Sequence, residues 1–196
     1  MYNVTVDLPS EVTEAGFMDV GIHENVELVR VEYGKATNEF LAFYFIGADG
    51  SKLSHTEWKP TLRALDTPEK LAEKELNQMS RIKQIVTCFI TKEQFVFQAN
   101  DFEEFANKVI KLLDNKFVGV KLRIKVVYSG KYTSLPNYWK FKFIERMDEV
   151  PADKSKIKMM SIDIKERKPD PVSTNTNPFT DNTGTAPLNR NTDLPF

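Results

Sequence analysis

The hydrophobic period of this chain changes twice, and no other feature restricts its fold as much. Apolar residues recur at two-residue spacing between Glu24 and Lys59, at helical spacing between Thr67 and Asn115, and at two-residue spacing again from Val118. Such a chain places strands on both sides of a helical insert. Glu24–Tyr33, Glu39–Ile46 and Ser51–Lys59 read as the first three strands. Gly34–Asn38 turns the first pair, and Gly47-Ala-Asp-Gly50 is a tight hairpin signal for the second. Pro60 has no amide hydrogen to donate and stops the third strand.

Thr67 before Pro68 is a helix start, with the cap residue ahead of proline at the first helical position. Leu71, Leu76, Met79, Ile82, Val86 and Phe89 follow as one stripe, expected to pack on the sheet. Asp101-Phe-Glu-Glu104 has capping-box spacing and opens a second helix with the stripe Phe102, Phe105, Val109 and Leu112 or Leu113. Val118–Tyr128 is the clearest strand: Val118, Val120, Leu122, Ile124 and Val126 point one way, Lys121, Arg123 and Lys125 the other. Its expected partner is Tyr138–Ile144, with Trp139, Phe141 and Phe143 towards the core and Tyr138, Lys140 and Lys142 outward. Ile157–Ile164 is expected to add a last strand.

Three strands, a helical insert over 67–115 and two further strands make a mainly β fold. Their order is that of an OB-fold-like five-stranded Greek-key barrel covering 20–165, after an N-terminal arm over 1–19. An open five-stranded sheet packed against two helices carries the same signature. Residues 166–196 are dominated by Pro, Asn, Thr, Asp and Gly, too poor in apolar residues to offset the entropy of ordering, so a disordered tail is expected. The single cysteine, Cys88, excludes an intramolecular disulfide and fits a reducing compartment. No apolar run reaches the roughly 18 residues of a membrane span, and the N-terminus lacks the basic and apolar regions of a secretory signal. A cytoplasmic protein, in whatever cell it works in, is expected.

Catalysis has little support, and no cofactor or metal is called for. There is no phosphate-binding glycine loop, metalloprotease helix motif or cysteine cluster. His23 and His55 have no Cys or paired carboxylate at ligand spacing and read as solvated or hydrogen-bonded histidines. Cys88, among Val86, Phe89 and Ile90, reads as a core thiol.

The charge distribution is more informative than the net charge of −1. Residues 116–146 carry eight basic side chains against the one acid Glu145, a local net of +7. Lys121, Arg123, Lys125, Lys140 and Lys142 fall on the outward phase of two expected neighbouring strands, with Lys131 in the loop between them. A cationic patch of that kind attracts regularly spaced phosphates whatever the base sequence. Tyr128, Tyr132 and Tyr138 bracket the loop and Trp58 ends the third strand. Such rings can stack on unpaired bases, whose faces a duplex hides. The bland alternative is a solvated, lysine-rich sheet face.

The chain ends Asn191-Thr-Asp-Leu-Pro-Phe196. Asp193, Leu194, Pro195 and Phe196 resemble the C-terminal tip of bacterial and bacteriophage single-stranded DNA-binding proteins, in which a disordered linker leads to acids and a final Ile/Leu-Pro-Phe. The resemblance implies that Phe196 anchors in an apolar pocket of a replication or repair protein, with Asp193 supplying the nearest charge. The tip has one acid where the family has several, and the helical insert is large, which points to a divergent, viral version. The implied role is sequence-independent coating of single-stranded DNA during replication, recombination and repair, in a possible homo-oligomer. A strand-annealing or recombination-mediator protein and a non-enzymatic structural or adaptor protein are the alternatives.

Overall fold

A computed structural model describes residues 16–164. The expected disordered tail and its tip, Asp193 to Phe196, lie outside the described residues, as does most of the arm. The described chain is mainly β: a six-stranded antiparallel open sheet with two helices. The elements are β1 (Gly21–Lys35), β2 (Glu39–Ile46), β3 (Lys52–Trp58), α1 (Pro68–Val86), α2 (Phe102–Leu113), β4 (Leu122–Ser129), β5 (Tyr132–Ser134) and β6 (Ile144–Arg146). A short 3-10 turn follows at Ala152–Lys154.

The strand order is β3-β2-β1-β4-β5, with β6 also paired to β4. β1 is long enough to serve two partners because it bends. Register shifts occur between His23 and Val26 and between Leu28 and Arg30, and Asn25 sits in the first at φ 57°, a conformation Asn tolerates. Its C-terminal part, Glu27–Lys35, pairs with β2, and its N-terminal part, Gly21–Val26, pairs with β4. The sheet therefore curls until its two ends, β3 and β5, face each other. Residues 16–18 lie along the outer edge of β3, where Met18 N–H donates to Lys52 O (3.0 Å) and Lys52 N–H to Gly16 O (2.9 Å).

The core fills the inside of the curl. Leu28, Leu41, Phe43, Phe45 and Leu53 meet Ile82, Ile85 and Val86 of α1, Ala106, Val109 and Leu113 of α2, and Leu122, Ile124 and Val126 of β4. Burying each of the larger side chains contributes about 1.5–3 kcal/mol. Both helix starts are capped as their sequences require: Thr67 Oγ1 accepts from Lys70 N–H (3.4 Å) and Asp101 Oδ1 from Glu104 N–H (2.8 Å). No helix among the described residues is long and apolar enough to cross a membrane.

Four local expectations are corrected. Leu76 and Met79 are exposed, because α1 turns Gln78, Ile82, Ile85 and Val86 inward instead. Val118 is exposed, and the strand begins at Leu122. Tyr138–Ile144 is not a strand: the ladder to β4 is made by β5 and β6, and 135–143 is an irregular excursion between them. The carbonyls a strand would have paired are taken by α1, since Arg81 Nη1 donates to Asn137 O (3.0 Å) and Gln84 Nε2 to Trp139 O (2.6 Å). Ile157–Ile164 is likewise an irregular strap rather than a strand.

Candidate nucleic-acid interface

The stripe of cations expected on β4 has the predicted phase, but the outer face of β4 is covered. Arg123 is only 4% exposed; its Nε donates to Glu24 Oε1 (2.8 Å) and its Nη1 to Glu145 Oε1 (2.5 Å). Lys125 is fully buried under the 157–163 strap, donating to Lys158 O (2.8 Å) and Asp163 Oδ2 (3.0 Å). Lys121 is exposed but ion-paired with Glu27. Alternation distinguishes the two faces of a strand; it does not say whether the second face meets water, and here it meets acids carried by β1, β6 and the strap.

Tyr138, half-buried, joins the same cluster. Its hydroxyl donates to Asp163 Oδ1 (2.8 Å), and Lys125 Nζ lies 5.0 Å from its ring centre. Burial and the neighbouring Asp163 carboxylate push the hydroxyl well above its ordinary range. Burial would raise Asp163 too, but the Met160 N–H, Lys125 and Tyr138 donors hold it below the usual carboxylate range. Tyr138, Arg123 and Lys125 are thus structural members of the wall, correcting their assignment to an open binding face.

The other expected residues separate into two exposed groups. Trp58, Tyr128, Tyr132 and Lys131 come together at the seam between β3 and β5, lining a cleft of about 640 Å³. Trp58 is 50% and Tyr132 65% exposed, and Lys131 Nζ lies 5.2 Å from the Tyr132 ring centre. Phe17, 80% exposed, is delivered to the same cleft by the arm along β3, and Ser54, Thr56 and Asp19 complete its lip. Phe17 had no signal in the sequence, because only the bridge to Lys52 brings it there. Lys140 is exposed and Lys142 half-buried on the 135–143 excursion, beyond the cleft. Trp139 and Phe141, expected in the core, are there with them on the surface, while Phe143 is fully buried as expected.

Trp58 is presented by its neighbours on the outer sheet face. Cross-strand register aligns Gly34, Phe40 and Trp58 in one row. The Phe40 ring lies over Gly34, where a Cβ would be 2.1 Å from the ring tip, and packs on Trp58 at 5.0 Å between centres. Beyond the intervening Glu32, Ala42 and Thr56 row, the Arg30 guanidinium lies 4.0 Å from the Tyr44 ring centre, with Tyr44 beside Ser54.

Beneath the seam, a buried polar group ties the two sheet ends together. Glu57, on the inner face of β3, accepts from Arg81 Nε and Nη2 (both 2.7 Å) and from His55 Nε2 (3.0 Å). His55 Nδ1 lies 2.9 Å from the Ser134 hydroxyl of β5. Gln78 Nε2 donates to Trp58 O (2.7 Å), so α1 also holds the backbone under the exposed indole. Burial alone would raise Glu57, but the Arg81 fork and His55 outweigh it and pull the carboxyl down to about 2. His23 sits elsewhere, with Nε2 2.8 Å from Asp19 O. Cys88 is buried, and that burial pushes its thiol up to about 12. No protein-family model matches this chain, and no curated protein matches its sequence.

Proposed function

We propose that this protein binds single-stranded DNA without base preference, stacking unpaired bases on Trp58, Tyr132, Tyr128 and Phe17 in the seam cleft and meeting backbone phosphate with Lys131. The observation that carries this reading is the convergence of those rings and that lysine, from separate elements, on one cleft. Stacking tolerates every base and contributes about 1–3 kcal/mol per base. Duplex DNA keeps its bases stacked on each other and offers no free face to these rings. The strand order, with a bent β1 pairing both β2 and β4 and the ends β3 and β5 brought face to face, supports an OB-type barrel closed by side chains. In this reading Asp193 to Phe196 dock replication, recombination or repair proteins, as the resemblance of the tip implies.

One observation favours the adaptor reading instead: of the six expected cations, Lys121, Arg123 and Lys125 are occupied by carboxylates. The two readings separate in one experiment. Binding of fluorescent oligo-dT and a matched duplex is measured from low to high salt, with Trp58→Ala and Tyr132→Ala beside the native chain. Coating predicts single-strand affinity at least about tenfold above duplex, a decline with salt, and losses of about 5- to 150-fold for each variant. No binding to either DNA at low salt would overturn the reading in favour of a protein-binding adaptor.

A further inference from the structure

We propose that Trp139 and Phe141, with Lys140 and Lys142, form a second base-stacking platform that extends the path of the same single strand beyond the seam cleft. The inference rests on the single-strand reading above and adds a site to it. Trp139 is 38% and Phe141 55% exposed, an unfavourable placement for two neighbouring rings unless something apolar covers them.

The segment that carries them is held firmly by hydrogen bonds from α1, and the Phe141 ring also packs edge-to-face with Tyr138 at 5.9 Å between centres. Asn77, Arg81 and Gln84 are spaced four and three residues apart, so they share one face of α1. Arg81 donates to Asn137 O, and Gln84 donates to Trp139 O and, at 3.4 Å, to Phe141 O. Asn77 Oδ1 accepts from Trp139 Nε1 (2.5 Å), satisfying the only polar atom of the indole. The helix and Tyr138 thus hold two rings at fixed positions and leave part of each exposed, as a preorganised stacking surface requires.

The charges beside the rings suit a polyanion. Lys140 and Lys142 alternate with Trp139 and Phe141 in sequence, and neither forms an ion pair among the described residues. The nearest acid in sequence, Glu145, is buried against Arg123. The platform is also joined to the cleft. Asn77 holds Trp139, and the adjacent Gln78 holds the backbone of Trp58, so one turn of α1 fixes an aromatic residue of each site. Base faces from a strand leaving the cleft over this turn are the occupant the rings and lysines fit together.

The test uses oligo-dT of about 5 and about 15 nucleotides, within the range of sites on single domains of this type. Phe141→Ala and Lys140→Gln, whose side chains are solvent-facing, are expected to weaken the longer oligonucleotide by about tenfold and about threefold and to leave the shorter within twofold. Trp58→Ala weakens both lengths. In Trp58→Phe, Trp139 is the only remaining tryptophan, and its fluorescence is expected to be quenched by the longer oligonucleotide. Unchanged affinity of Phe141→Ala for the longer DNA, while Trp58→Ala weakens both, would overturn the platform and leave the cleft standing. Failure of the native chain to bind either length removes the cleft reading as well.

Discussion

Replacing Glu57 with Gln tests whether the buried network under the seam carries the charge that its geometry implies. The carboxylate lies 4% exposed between Arg81 and His55, and its folded value of about 2 stands against an ordinary 4.5. That gap corresponds to about 3 kcal/mol at about 1.4 kcal/mol per pH unit. Because the folded value is the lower, the stabilisation is complete above about pH 5 and is lost as pH falls through 4.5 towards 2. Linkage gives a loss of about 2 kcal/mol already at pH 3. In Glu57→Gln the group does not titrate, and Arg81 is left without its carboxylate, so the variant is expected to be about 3–5 kcal/mol less stable near neutral pH. The difference between native and variant chains then narrows by about 2 kcal/mol at pH 3. Urea unfolding followed by far-ultraviolet circular dichroism at pH 7, 5 and 3 measures both quantities. A difference that stays constant across that range would refute the reasoning, since it would mean that the Glu57 charge is as well placed in the unfolded chain as in the fold.

Lys125→Met leaves Asp163 with the Met160 and Tyr138 donors but no cation, and is expected to cost about 3 kcal/mol in urea unfolding, with Asp163→Asn added to it restoring part of the loss. A loss below about 1 kcal/mol would show that the strap contributes little to holding β4. Gly34→Ala puts a methyl group 2.1 Å from the Phe40 ring tip and displaces that ring from Trp58, costing about 1–3 kcal/mol and altering the near-ultraviolet circular dichroism of Trp58. An unchanged spectrum would show that Phe40 does not set the position of the indole.

Much of the fold was legible from local chemistry. The Gly47–Gly50 hairpin, the limits of β2, the Thr67 and Asp101 caps and the start of both helices follow from residues acting on their immediate neighbours, and they stand where the spacing puts them. The candidate site was half legible. Trp58, Tyr128, Tyr132 and Lys131 were marked by residue type and position near strand ends, and the sheet does gather them into one cleft. Phe17 was invisible because its place depends on an arm crossing to Lys52. The lysine stripe misled because a period of two encodes only which side chains share a face.

Burial, ion pairing and the fate of carbonyls are properties of what lies across that face, often far along the chain. Asp163 reaches Lys125 from 38 residues away, Glu24 reaches Arg123 from 99, and α1 takes the carbonyls of 137–141 from more than fifty residues earlier. By itself the sequence determined where both helices and β2 start, the phase of β4 and the kinds of residue available for stacking and for charge. Only the tertiary structure decided which cations face water, which rings leave the core and which strand ends meet. Local propensity acts over a few residues, whereas exposure is set by long-range neighbours that close over a face or leave it open.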